Sequence, residues 1–460
     1  MAMSFESQNG TSTVVRDEHA QTLRLTRLLG SGGQGEVWAA GERIAVKILH
    51  ARTSRAAARL RQRLRMVKRL DLEGLPISQP LAMLAEPKVG YTMELLGDMV
   101  ALRSLTTPPP RTDVADWYAA TGGLRRRLRL LARAAEALAG LHARGIVYGD
   151  PSPANVLISA SPDHSQVWLI DVDNLEVESV VPDQSLMTSG YAAPELISGR
   201  MGISSLSDAY AFALIAFETL VLVHPFLGDI VEESEPEWQD RAFAGDLPWI
   251  DDPDDDQNRS SYGLSRQIML TSGLRQLAGE TFGAGRLHPT SRPTVAEWRT
   301  KLQAAADLTV RCPHCTHTSF VGQSTCPWCG DAMPESVLAS VYLAVPEKED
   351  FVSMREALAL APRELLEVSA RTAGVDGGEH VGPAASIFWE PERKLTVRND
   401  SRYPLWLSPS AGGAYVVVEP DSQLSVPAYA AAPEWIVHFG PRSQLRRILQ
   451  FRTVGRGVRS

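Results

Sequence analysis

Residues 147–158, VYGDPSPANVLI, constrain this chain more than any other stretch. An acid, Asp150, stands five positions before an amide, Asn155, in a loop stiffened by Pro151 and Pro153 and followed by an apolar run. Such a loop presents a proton acceptor and a metal ligand toward one phosphate. A helix delivers it: Leu128, Leu131, Ala135, Leu138 and Leu141 recur at helical spacing within residues 124–144.

Earlier in the chain, residues 23–29 alternate as a strand does and run into Gly30, Gly32, Gly33 and Gly35, followed by Val37. Glycines so spaced let backbone amides approach phosphates, but a dinucleotide-binding fold opens in the same way. There a helix must follow. Here residues 37–38, a turn at Gly41 and then residues 44–49, IAVKIL, continue as strands, with Lys47 twelve residues after Gly35. This order resembles the amino-terminal lobe of protein kinases, and Asp150 and Asn155 fill the acid and amide positions of that family's HRDxxxxN loop. Further stretches carry the resemblance. Asp171 in DVD stands at the acid of DFG, and residues 188–195, TSGYAAPE, resemble TPxYxAPE. Asp208 resembles the acid that anchors the catalytic loop, and Arg292 the arginine that pairs with the glutamate of APE, here Glu195.

The resemblance, to bacterial Ser/Thr protein kinases of the eukaryotic-like type, implies an α+β, bilobal fold binding ATP and Mg²⁺ or Mn²⁺. In it Asp150 orients the acceptor hydroxyl, Asn155 and Asp171 hold the metal ion, and Lys47 holds phosphates. The loop of Gly30, Gly32, Gly33 and Gly35 covers them, while Val37, Ala45, Met93, Glu94 and Leu96 surround adenine. Thr188 bonds to the catalytic acid, which favours Ser and Thr acceptors. The sequence also departs from the family. Tyr148, Gly149 and Ser152 replace the family's His, Arg and Lys, and no acid lies between Lys47 and Asp71 to serve as the usual partner of Lys47. The helix over 54–70 instead carries Arg55, Arg59, Arg61, Arg63, Arg65, Lys68 and Arg69, a solvated face or a docking surface for an acidic partner, with Gln62 the one neutral polar group placed to help. Either another residue such as Asp171 positions Lys47, or the lobe waits for a partner. Asp173 reads first as a turn acid capping its strand, with a third carboxylate for the metal ion as the alternative. Gly149 leaves a phosphate on Ser179 or Ser185 without its usual cationic clamp.

The cysteines stand at 312, 315, 326 and 329, as two CxxC knuckles ten residues apart. Cys312, Cys315, Cys326 and Cys329 fit a closed Zn²⁺ site in a ribbon too small for an apolar core of its own. A thioredoxin-like redox role lacks the βαβ context and leaves the second pair unexplained. His314 and His317 are then spectators. Beyond it, residues 350–372 carry a helical pattern, and short alternating runs at 394–397, 405–407, 415–418, 424–426, 435–439 and 447–451 predict a β-sandwich-like interaction domain.

The expected order is a flexible tail (1–20), a kinase domain (21–306, lobes 21–96 and 97–306), a zinc ribbon (310–332), a helical linker (333–384) and a β-rich domain (385–460). Twelve acids and one arginine over 229–256 predict an exposed insertion, and the net charge of −8 argues against nucleic-acid binding. The polar first 20 residues show no secretory leader, and the longest apolar run, 209–223, is broken by Glu218 and shorter than the ~20 residues a membrane span needs. No membrane association and a cytoplasmic location are expected. The arrangement of catalytic loop, DVDN and trailing ribbon resembles kinases encoded beside a von Willebrand A-domain protein and a metal-dependent protein phosphatase, which implies those two as partners beside a protein substrate. The rival reading is a nucleotide-binding pseudokinase serving as a scaffold. A small-molecule phosphotransferase is disfavoured by TSGYAAPE, a peptide platform in protein kinases.

Overall fold

Val14–Arg16 (β1) pairs antiparallel with Thr22–Arg24 (β2), where a flexible tail was expected. The reason is burial: Val15 and Leu23 pack with Leu25, Val46 and Leu84. This computed structural model describes residues 13–178, 188–346, 351–375, 382–429 and 432–454. Ser179 and Ser185 lie outside them. The chain divides into two units, one of residues 1–107, 130–263 and 277–299, the other of residues 108–129, 264–276 and 300–460.

In the first unit, β3 (Arg27–Ser31), β4 (Gly35–Ala40), β5 (Ile44–Leu49), β6 (Ala82–Met83) and β7 (Gly90–Glu94) form a five-stranded sheet in the order β3-β4-β5-β7-β6. Residues 23–29 thus divide between β2 and β3. Gly35 is required by close packing, since a Cβ there would sit 2.2 Å from the Ile48 carbonyl oxygen. α1 (Ser54–Val67) buries Leu64 and Val67 and starts at Thr53, whose hydroxyl accepts the Ala56 N–H. β8 (Met99–Ala101) follows. α2 (Val114–Ala120) belongs to the second unit, and α3 (Gly123–His142), whose residues from 130 on belong to the first, leads into β9 (Ile146–Val147) and the loop at Asp150. β10 (Val156–Ser159) and β11 (Val167–Leu169) pair antiparallel, the stretch bearing Asp171 follows β11, and β12 (Glu176–Val177) beyond it pairs with β9.

α4 (Pro194–Ile197) precedes α5 (Ser205–Val221), which is apolar on nearly every face and almost wholly buried, as a central helix must be. Ser204 caps it reciprocally with Ser207, which sets Asp208, fully buried, in its first turn. Tyr210, Phe217, Phe226, Trp249 and Phe282 pack edge-on or stacked around it. The acidic stretch is only in part an exposed insertion. It holds α6 (Asp229–Glu232) and α7 (Pro236–Phe243), and Glu232, Glu233, Asp254, Asp255 and Asp256 are exposed, yet Leu247, Trp249 and Ile250 are buried. Buried Asn258 fixes this segment by donating to the carbonyls of Phe226 and Pro248. α8 (Arg266–Met269), α9 (Ser272–Phe282), α10 (Ala284–Leu287) and α11 (Val295–Asp307) complete the helices before the cysteines.

In the second unit β13 (Thr309–Arg311) and β14 (Thr318–Phe320) form the hairpin that carries the first knuckle. Residues 108–129 group with it instead of following the linear division expected at 306. Arg125 accounts for this, bonding the Thr309 hydroxyl and carbonyl and pairing with Glu364. A ring stack adds to it: His317 lies on Trp328 at 4.3 Å, Trp328 on Tyr118 at 5.3 Å, and the buried Arg127 guanidinium 3.7 Å from the Tyr118 ring centre.

The expected helical linker is β-sheet. β15 (Val337–Ala344) and β16 (Phe351–Leu360) pair antiparallel, followed by β17 (Leu365–Ser369), the single turn α12 (Ala370–Ala373) and β18 (Pro383–Glu390). Residues 351–360 are rich in helix-forming Ala, Leu, Glu and Met, and pairing along β15 overrides that local preference. β19 (Arg393–Asn399), β20 (Leu405–Pro409), β21 (Val416–Val418), β22 (Gln423–Ala428), β23 (Trp435–Phe439) and β24 (Arg446–Thr453) contain or overlap the six predicted runs. The strands make a six-stranded sheet, β16-β15-β24-β23-β20-β21, and a four-stranded sheet, β17-β18-β19-β22. Both contribute to one apolar cluster that includes Val341, Ile387, Trp389, Val397, Leu407 and Leu449. Among the described residues no helix is long and apolar enough to cross a membrane.

Candidate active site

The loop after β9 owes its shape to Asp208. Its carboxylate accepts the backbone N–H of Tyr148 at 2.7 Å and of Gly149 at 2.9 Å, and meets His142 Nε2 at 3.0 Å. A carboxylate with three such partners is stable while fully buried. Gly149 adopts φ +86°, and a Cβ there would lie 3.0 Å from the Asn174 carbonyl oxygen, so a larger residue would be strained here. Tyr148, also buried, donates its hydroxyl to the Ile170 carbonyl and, at 3.3 Å, to that of Asn155. The tyrosine in place of the family's histidine thus ties the Asp150 loop to the strand end that bears Asp171.

Asp150 is nearly buried, and its carboxylate accepts the Thr188 backbone N–H at 2.8 Å and hydroxyl at 2.9 Å. Burial raises its pKa and the Thr188 hydrogen bonds pull against that rise. Asn155 donates its amide to the Asp150 carbonyl at 3.1 Å, which leaves its own oxygen as the end available to a cation. Asp171, at φ +62°, ends the strand side of the site. Glu195 and Arg292 form the expected pair, a bidentate contact at 2.7 Å on both arms, buried on each side.

Lys47 on β5 is buried and paired with two carboxylates, Asp171 and Asp173, the second at 2.7 Å. Asp173 is therefore more than a turn acid capping its strand. It lies in the short helical turn Val172–Asn174, is 5% exposed, and also accepts the Tyr91 hydroxyl at 2.9 Å. Burial works against the charge on Lys47, and Asp173 and Asp171 outweigh it, so its pKa is raised. Burial and the neighbouring charge of Asp173 push Asp171 up to about 6. Gln62 on α1 is exposed, and the cations of that helix are partly engaged within the chain. Arg61 meets Glu86, Lys68 meets Glu18, and Arg63 bonds the Asn174 carbonyl at 3.1 Å and Glu176 at 2.7 Å.

Around the expected adenine region, Met93 and Ala45 are buried and face each other across β7 and β5, and Val37 pairs with Lys47 across β4 and β5. Glu94 is exposed, Leu96 is half-buried, and nothing would meet a Cβ at Gly30, Gly32 or Gly33 within 4 Å, which leaves those three at an open surface. Sequence reasoning missed Tyr91 altogether, and it missed the contacts that Asp173 makes with Lys47 and Tyr148 with Ile170. The second acid of DVD was the one signal available for Asp173.

The two knuckles form a second constellation. All four Sγ atoms lie within 4.8 Å of one another. Sulfurs about 2.3 Å from a tetrahedral ion stand roughly 3.8 Å apart, and Cys312–Cys329 and Cys315–Cys326 measure 3.7 and 3.6 Å. Each knuckle turns alike: the Thr316 N–H donates to Cys312 and the Gly330 N–H to Cys326, both donors at positive φ. The residues present fit a Cys₄ zinc site. His314 is exposed and His317 is taken up by its stack on Trp328, and neither joins the cluster.

Serine/threonine-protein kinase PknA of Mycobacterium tuberculosis is 30% identical over 218 residues, 45% of this chain and 48% of PknA. The DNA damage-responsive serine/threonine-protein kinase RqkA of Deinococcus radiodurans is 30% identical over 222 residues, 46% of this chain and 31% of RqkA. Serine/threonine-protein kinase Pkn2 of Myxococcus xanthus is 30% identical over 272 residues, 55% of this chain and 30% of Pkn2. The chain thus spans less than half the length of each of these relatives. Residues 23–260, just over half of the chain, match the protein kinase domain family, and to that family the chain belongs.

Proposed function

We propose that this chain transfers the γ-phosphate of ATP to Ser or Thr hydroxyls of a protein partner. The observation that carries the reading is the double hydrogen bond from Thr188 to Asp150, beside Asn155 and opposite a lysine paired with Asp171. Asp150 orients the acceptor hydroxyl and takes its proton. Thr188 holds the carboxylate in place and leaves room for an aliphatic hydroxyl. Lys47 steadies the phosphates, and the glycine loop lies over them. Asn155 and Asp171 are the residues that would hold Mg²⁺, which when bound neutralises charge developing on the phosphates. Catalysis of this kind is positioning and charge stabilisation.

Labelled γ-phosphate, supplied with Mg²⁺ or Mn²⁺, tests this on the protein itself and on a generic basic protein. Label on Ser or Thr that disappears in Asp150→Asn is the expected result. No label, with nucleotide bound at ordinary affinity, would assign the pseudokinase scaffold instead.

The ribbon and the paired sheets serve recognition of partners in this reading. A von Willebrand A-domain protein and a metal-dependent protein phosphatase are proposed on the resemblance in arrangement alone. Zn²⁺ closes the ribbon, and four unpaired thiols within reach of one ion accord with a reducing, cytoplasmic setting. Native mass spectrometry of the purified chain should find one zinc per molecule, lost in Cys315→Ser. A zinc-replete preparation without metal would remove zinc from the proposal.

A further inference from the structure

Lys47 carries a positive charge at a site 6% exposed, and a buried ammonium persists only beside a partner that stays with it. Helix α1 supplies none. It has no acidic residue, its one neutral polar candidate, Gln62, is exposed, and the side chain it does send toward the site is a cation. That cation, Arg63, grips the chain just after DVD, at the Asn174 carbonyl and the Glu176 carboxylate.

The two acids that do meet Lys47 are not equivalent. The Asp171 side chain is 22% exposed, so solvent reaches part of it. The Asp173 side chain is 7% exposed and accepts two donors on one oxygen, Lys47 Nζ at 2.7 Å and the Tyr91 hydroxyl at 2.9 Å. Tyr91 is fully buried and sits directly across β7 from Lys47 on β5, so the same strand pair that places the lysine places the donor that fixes its acid. An acid that is free to turn toward a metal ion cannot also be the lasting partner of the lysine. An acid locked from both sides can.

We infer that Asp173 is the positioning residue for Lys47, the fixed counter-charge that an acid on the neighbouring helix would otherwise provide. This rests on the kinase reading above and goes beyond it. Lys47 is held by its own sheet and by the DVD turn, so its place does not depend on where α1 sits. Helix α1 follows that turn through Arg63 instead of commanding it. No partner is needed to complete the pair.

The test uses the full chain and compares Asp173→Asn, Asp173→Glu, Tyr91→Phe and Gln62→Ala in affinity for a fluorescent ATP analogue and in kcat and KM for ATP. Asp173→Asn should lose about 10²-fold in kcat/KM, the effect of a catalytic group displaced by about 1 Å, with KM for ATP raised. A defect of folding alone lowers the active fraction and hence kcat, and leaves that KM unchanged. Asp173→Glu should recover part of the loss, Tyr91→Phe should show a smaller loss in the same direction, and Gln62→Ala should match wild type. Wild-type kinetics in Asp173→Asn, or a Gln62→Ala loss equal to that of Asp173→Asn, would overturn the inference. Should Asp173→Asn fail to fold, wild-type kinetics in Tyr91→Phe overturn it equally. A wild type that transfers no phosphate sinks the kinase reading, and the role of Asp173 is then decided by nucleotide affinity, lowered in Asp173→Asn and unchanged in Asp150→Asn.

Discussion

The acceptor side and the phosphate side of this site were built by different means. Around Asp150 the partners stand on the elements where the family pattern puts them: Thr188, Asp208 in the first turn of the central helix, and Glu195 facing Arg292. Around Lys47 the counter-charge has moved from a helix to the turn after Asp171, and the helix has become basic. Each side nevertheless keeps a buried charge matched by a buried opposite charge or by several hydrogen-bond donors. Charge balance at a buried site is obligatory, whereas the element that supplies it is free to change.

This distinction marks what could be seen in the sequence. The strand that carries Lys47 and the pairing of Glu195 with Arg292 were legible because a motif sets each residue type at a fixed offset from its neighbours in sequence. Asp173 was not, because its role depends on a turn that brings residue 173 against residues 47 and 91, a tertiary event without a local pattern. The same limit hid β16. Its Ala, Leu, Glu and Met read locally as helix, and only the pairing with β15 makes it a strand. It also hid the grouping of residues 108–129 with the ribbon, which rests on one arginine and a ring stack between distant stretches. The six short strands beyond 393 were legible because turn residues punctuate them regularly.

If the two sides are separable, the largest effect belongs to Asp150→Asn. Removing a positioned proton acceptor should lower the transfer rate by about 10²–10⁴-fold, with affinity for an ATP analogue unchanged. A parallel fall in nucleotide affinity would break the comparison, since it would mean that Asp150 also supports the phosphate side.

Next in size are the supporting ion pairs, which should differ sharply. Arg292 is buried, bidentate to Glu195, bonded to the Gly285 carbonyl and stacked on Tyr210 at 4.6 Å. Arg292→Ala leaves Glu195 buried and unpaired, and should destabilise the chain by about 3–5 kcal/mol in urea unfolding. The pair of Arg63 and Glu176 on the other side is about a quarter exposed on each member. Glu176→Ala should cost only about 0.2–1 kcal/mol. Equal losses would show that α1 is anchored as firmly as the acceptor side.

A smaller effect is expected where the two sides meet. Tyr148→Phe removes the hydroxyl that joins the Asp150 loop to the Ile170 carbonyl and keeps the buried ring. A loss of about 1 kcal/mol in stability should follow, with kcat lowered more than KM for ATP, because the link orients Asp150 and Asp171 relative to each other. A change confined to KM would place the tyrosine on the phosphate side alone.

The least effect should come from removing phosphate. In a site with an arginine beside the catalytic acid, a phosphorylated segment gains its order from that cation. An arginine at residue 149 would be strained here: its φ is +86°, and a Cβ would lie 3.0 Å from the Asn174 carbonyl oxygen and 3.1 Å from the Ile203 methyl. Asp150 is instead ordered from within, by two bonds from Thr188 and by the two backbone N–H groups that Asp208 holds just before it. Protein stripped by a phosphatase should therefore transfer phosphate at the initial rate of untreated protein. A complete loss of activity on that treatment would show that the acceptor side, like the phosphate side, draws a needed charge from outside the family pattern.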